Sequence, residues 1–135
     1  MKDCPFCQIV AGKLPAHKVW EDKNHLAFLS IFPNTDGFTV VATKEHYPSN
    51  FTQIPEETLK EMIVAAQKVA KKLIKAFPDT KRVGLVIEGE GVNHFHFKLI
   101  PMHPGQYKSF LTTKEGPRAD DQKLVRIAKK IRASE

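Results

Sequence analysis

From Pro55 onward the apolar positions fall into a helical period. Leu59, Met62, Ile63, Ala66, Val69, Ala70, Leu73, Ile74 and Phe77 recur at spacings of three and four, and Glu57, Lys60, Glu61, Lys68, Lys71, Lys72 and Lys75 fall mostly between them. This pattern predicts one long helix, stopped at Pro78-Asp79, whose stripe is core packing rather than a cofactor surface. A second helical period, Leu124, Ile127, Ala128 and Ile131, predicts a final helix from about Asp121 to Arg132. Near the start, Ile9-Val10-Ala11-Gly12 before Leu14-Pro15 reads as a short helical turn closed by glycine.

Between these segments the pattern is that of strands. Lys18 to Glu21 and His25 to Leu29 flank the turn Asp22-Lys23-Asn24, which predicts a hairpin. Phe38 to Thr43 is a β-branched strand after the turn-rich stretch Phe32 to Gly37, and Val83 to Ile87 is the next. Glu88-Gly89-Glu90-Gly91 then makes a tight connection into a strand from Val92 to Ile100. Strands, helix, strands, helix in that order predict an α+β fold with a mainly antiparallel sheet, one long helix and a C-terminal helix. The 135 residues fit a single domain, 1–135, with a motif-bearing core of about 4–101 followed by a loop and helix over 102–135.

The strand at the end of that core carries the strongest chemical signal. Alternation in His94-Phe95-His96-Phe97-Lys98-Leu99 puts His94, His96 and Lys98 on one face and the apolar residues on the other. Same-face neighbours lie about 6 to 7 Å apart, so two imidazoles and an ammonium can converge on a phosphate or a metal. A half-buried strand with a wet polar face explains the three apolar residues but not the choice of histidine.

Cys4 and Cys7, the chain's two cysteines, are spaced for metal or redox chemistry more than for a structural disulfide. A redox pair belongs at the end of a strand, and nothing before Cys4 can form one. A structural zinc needs about four N or S ligands, and two of them have to come from His17, His25, His46, His94, His96 and His103. The rival is a pair of inert thiols. The formal charge of +6 comes largely from lysines, many of them on the long helix and in the C-terminal tail, where they form solvated faces and a mild attraction for phosphorylated ligands. No nucleic-acid fingerprint accompanies it. The chain has neither a signal segment nor an apolar run of membrane length, so a cytoplasmic protein with no membrane partner is expected.

Cys4-Pro-Phe-Cys7, Glu21-Asp22, Ala27 to Pro33, Gly37 to Val41, Lys44-Glu45-His46 and His94 to Pro101 occur in an order and spacing that resemble the histidine triad family of nucleotide hydrolases and transferases. The resemblance runs from about Cys4 to Pro101 and implies the histidine triad fold. It makes His96 the nucleophile that takes a nucleoside monophosphate from a purine nucleoside phosphoramidate or dinucleoside polyphosphate, forming a covalent nucleotidyl-histidine. Lys98 stands where the family usually has its third histidine, and there donates to phosphoryl oxygens. Phe6, Ile9, Phe28 and Ile31 match base-pocket positions, Ser30 replaces a ribose-binding Asp, and Gly91 and His94 complete the nucleotide contacts. Phe38 departs from a common histidine, and Glu90 and Gly91 depart from a common polar pair, so that either Glu90 points away or the substrate is unusual.

The branch beginning with Cys-x-x-Cys holds a structural zinc, here implied at Cys4, Cys7, His46 and His94. None is required for the chemical step. His17, His25 and His103 are left as ordinary surface residues. A homodimer is implied, sharing its sheet across long helices and adjoining strands. The alternative is a catalytically weak, zinc-stabilised nucleotide-binding or interaction protein of the same fold.

Overall fold

A computed structural model describes residues 3–104 and 115–134. The elements are α1 (Pro5–Val10), β1 (Lys18–Glu21), β2 (His25–Leu29), β3 (Thr39–Thr43), a 3-10 turn (Phe51–Gln53), α2 (Glu56–Ala76), β4 (Val83–Val86), β5 (His96–Pro101) and α3 (Asp121–Arg132). Five strands form one antiparallel sheet in the order β1-β2-β3-β5-β4. The α+β expectation holds. The predicted hairpin falls on β1 and β2 with its Asp22 turn, where the Asp22 carboxylate accepts from the Asn24 and His25 amides at 2.9 and 2.7 Å.

The sheet separates two apolar clusters. On one face Val19, Ala27, Leu29, Val41, Phe95, Phe97 and Leu99 pack against Met62, Val69 and Leu73 of α2 and Leu124 and Ile131 of α3. On the other face Leu26, Phe28, Val40 and Ala42 meet Cys4, Phe6 and Ile9 from α1 and its cap. The period of two along β2 and β3 assigns each residue to its face, although every residue of both strands is buried. Among the described residues no helix is long and apolar enough to cross a membrane.

Four local expectations are corrected. The first helix begins at Pro5 rather than Ile9, because the Cys4 sulfur caps it by accepting from the Cys7 amide at 3.3 Å and Pro5 suits its first turn. Gly12, at φ +76°, follows its end. The histidine strand begins at His96 rather than Val92, since pairing with β4 ends at Val86 opposite Lys98 and pairing with β3 ends at Ala42 opposite His96. Residues 87–95 therefore form a longer connection than the tight turn expected, although side-chain alternation carries on through Phe95 and His94. On α2, Ile63 and Ile74 of the predicted core stripe are 51% and 39% exposed, because the sheet and α3 cover a narrower arc than the stripe.

His17, His25 and His103 are not ordinary surface residues. His25 is buried with Nδ1 on the Asp22 carboxylate at 2.9 Å. His17 reaches Asp121 at 3.2 Å, and His103 lies between the Thr80 hydroxyl and the Asp36 carbonyl. His17 and His103 join segments distant in sequence, which a local pattern does not reveal, whereas His25 is held within its own hairpin turn. The predicted loop after Pro104 lies outside the described residues as far as Lys114.

Candidate functional site

A cavity of about 730 Å³ opens on the α1 face of the sheet, lined mostly by apolar side chains. Phe6 and Ile9 come from α1, Phe28 from β2, Ser30 and Ile31 from the segment after it, and Gly91 from the β4–β5 connection. His96 and Lys98 of β5 close one end, and Arg118 and Asp121 lie in the lining as well. Phe6 sets its ring edge-on to Phe28 at 5.2 Å and to His96 at 5.0 Å, so one aromatic residue touches both the apolar wall and the imidazole.

His96 has its tautomer set by the backbone. Its Nδ1 lies 2.6 Å from the His94 carbonyl oxygen, which can only accept, so Nδ1 carries the proton and Nε2 the lone pair. Burial pushes the His96 imidazole below its ordinary value, and the Lys98 ammonium adds to this against the opposing pull of the His94 carbonyl and Glu88. The ring is therefore neutral at pH 7, with an available nitrogen on a residue that lines a cavity. Such a group is a nucleophile or a base.

Lys98 is held by a residue that the sequence pattern did not single out. Its ammonium forms an ion pair with the Glu88 carboxylate, both side chains about one-fifth exposed, and this pairing holds the Glu88 carboxyl below the usual carboxylate range. Extending the β4–β5 register by two residues past Val86 places Glu88 opposite His96, which is the signal that could have found it. Glu90 is exposed and is not among the residues lining the cavity. The Ser30 hydroxyl accepts from the Phe32 amide at 3.1 Å.

Behind His96 lies a candidate metal centre. One ligand atom from each of Cys4, Cys7, His46 and His94 lies within 4.8 Å of the others. His94 Nδ1 is 3.1 Å from the Cys4 sulfur, 3.4 Å from the Cys7 sulfur and 3.2 Å from His46 Nδ1, and Cys7 sulfur to His46 Nδ1 is 3.3 Å. Ligand bonds of about 2.0 to 2.3 Å in a tetrahedron fit donor separations only slightly longer than these. The His94 Nε2 donates to the Thr43 carbonyl at 2.6 Å, leaving the Nδ1 lone pair facing the cluster. Two sulfurs, two imidazole nitrogens and a fixed tautomer fit a structural zinc. His94 is fully buried and does not line the cavity, so of its two expected roles the geometry places it only with the cysteines.

A family model for the HIT domain matches residues 11–105. An uncharacterized HIT-like protein of Methanocaldococcus jannaschii is 37% identical over 105 residues, covering 76% of this chain and 81% of that one. Among solved structures, a Zn-bound histidine triad family protein from Mycobacterium smegmatis is similar at a TM-score of 0.81 and 28% identity, covering 98% of this chain and 92% of that one. A hypothetical histidine triad nucleotide-binding protein from Sulfolobus tokodaii gives a TM-score of 0.83 at 26% identity, covering 96% and 89%.

Proposed function

Because this chain belongs to the HIT domain family, we propose that it is a nucleotide hydrolase or nucleotidyl transferase working through a covalent adduct on His96. The substrate is a purine nucleoside phosphoramidate or a dinucleoside polyphosphate. The observation that carries the reading is the 2.6 Å contact from His96 Nδ1 to the His94 carbonyl, which leaves Nε2 as the bare nitrogen of a neutral ring in the cavity.

Nε2 attacks the α-phosphorus, and the bond from phosphorus to the leaving nitrogen or oxygen breaks with its electron pair going to the leaving group. An amine leaving group takes a proton from solvent. Water then adds to phosphorus, the P–N bond to His96 breaks, its electron pair returns to Nε2, and a proton passes to solvent. Lys98 donates to the non-bridging oxygens through both steps. Phe6, Ile9, Phe28 and Ile31 hold the base, Ser30 touches the ribose, and the Gly91 segment faces the phosphate.

Cys4, Cys7, His46 and His94 would hold a structural zinc, which ties α1 to the sheet and supplies no step of the chemistry. His94 then links the two sites, since its ring lies in the cluster and its carbonyl orients the nucleophile. The protein acts as a homodimer in the cytoplasm, the dimer being supported by Ile63 and Val64, about half exposed beside Val83 and Leu85 of the edge strand β4.

The test mixes wild type and His96→Asn with an adenosine 5′-phosphoramidate and reads intact mass, turnover and AMP binding. Wild type should gain a nucleotidyl group on the peptide containing His96, while His96→Asn binds AMP and forms none. Turnover retained in His96→Asn refutes the assignment. Saturable binding by wild type without an adduct supports a binding module of the same fold.

A further inference from the structure

Every cation that lines the cavity among the described residues is already paired with a carboxylate. Lys98 is paired with Glu88, and Arg118 with Asp121 at 3.0 Å, while Glu115 adds a further carboxylate to the lining. Among the described residues, the cavity lining therefore carries no cation without a carboxylate beside it. The pairing at Lys98 is built into the loop. Glu88 gives one carboxylate oxygen to Lys98 and accepts from the Glu90 amide with the other at 3.0 Å. The next residue, Gly89, has φ +70° and its carbonyl accepts from the Ser49 hydroxyl at 2.7 Å. A Cβ on Gly89 would stand 2.7 Å from the Ser49 carbonyl oxygen, so the turn that presents Glu88 needs glycine. Asn93 fastens the same spot, accepting from the Ser49 amide at 3.0 Å.

We propose that Glu88 is a specificity-determining residue that restricts the site to nucleotides whose leaving group brings no negative charge. The inference rests on the reading of His96 and Lys98 given above. Glu88 occupies one of the three N–H donors of Lys98 and leaves two for the non-bridging oxygens of a single phosphoryl group. A second or third phosphate would place further charge beside a carboxylate and meet no unpaired cation among the described lining residues. An uncharged alcohol or amine, or a leaving group carrying an ammonium, meets no such opposition. The favoured class is therefore a nucleoside monophosphate amide or ester, not a polyphosphate.

The experiment compares wild type, Glu88→Gln and Glu88→Asp in magnesium-free buffer. Affinities for AMP and ATP are measured by calorimetry, and kcat/KM for an adenosine 5′-phosphoramidate and for diadenosine tetraphosphate. Wild type should bind AMP at least as tightly as ATP and prefer the phosphoramidate. Removing the carboxylate charge beside Lys98 should move both ratios toward the polyphosphate by about tenfold in Glu88→Gln. Glu88→Asp keeps the charge and should keep the wild-type ratios. Unchanged ratios in Glu88→Gln, or an equal shift in Glu88→Asp, overturn the proposal. Absence of a His96 adduct with either substrate defeats the catalytic reading alone, because the AMP to ATP binding ratio still decides the role of Glu88.

Discussion

Replacing both cysteines, as Cys4→Ala with Cys7→Ala, should release α1 while the sheet and α2 remain folded. The helix has six residues, well short of what persists in isolation. Ordering its backbone costs roughly 6 to 12 kcal/mol at about 1 to 2 kcal/mol per residue. Burial of Phe6 and Ile9 offsets about 3 to 6 kcal/mol of that. The Gln8 to Cys4 and Ala11 to Cys7 main-chain hydrogen bonds contribute about 1 kcal/mol each. A shortfall of a few kcal/mol is left, which a metal bound by the four-residue cluster, worth roughly 10 kcal/mol in small metal-stabilised domains, would cover.

The assay is amide hydrogen exchange read by peptide, with AMP affinity measured alongside. In the double variant, amides of α1 should exchange about a hundredfold faster while those of α2 and β3 stay protected. AMP affinity should drop by about tenfold, since Phe6 and Ile9 form one wall of the cavity. Chelation of the wild-type protein should reproduce both changes. Unaltered protection of α1 together with unaltered AMP binding would refute the reasoning, because apolar packing alone would then suffice to dock the helix.

Two further outcomes follow from other parts of the fold. The Lys98 ammonium lowers the folded-state value of Glu88, so its stabilisation is complete above the ordinary value of 4.5 and is lost as pH falls through the lower folded value. Wild type should consequently lose more stability than Glu88→Gln between about pH 5 and pH 3, and thermal melts giving parallel acid profiles for the two would contradict it. Met62→Ala, at a fully buried position on α2 facing the sheet, should cost about 2 to 5 kcal/mol in urea unfolding, and a loss below about 1 kcal/mol would mean that the site collapses to fill the space.

The sequence alone determined what depends on neighbours a few residues apart. The hairpin of β1 and β2, the long α2, the terminal α3 and the opposite facing of His96 and Phe97 all follow from local period and turn chemistry, and all stand in the structure. Alternation likewise placed Lys98 on the His96 face, and both line one cavity. The tertiary structure decided what depends on segments meeting. Periodicity gave the direction of the α2 stripe but not the width of surface that would cover it, so Ile63 and Ile74 remain exposed.

The spacing of Cys4 and Cys7 left their partners open, and the full ligand set entered through family resemblance. Only folding brings the Cys4 sulfur to a histidine 90 positions away and supplies the Thr43 carbonyl that turns its ring. Glu88 gave no local signal at all, because its meaning lies in the register between two strands joined by an irregular loop. Local pattern follows from the backbone's short repeat. Convergence of charges and ligands follows from how those repeats pack, and that is settled by the whole chain at once.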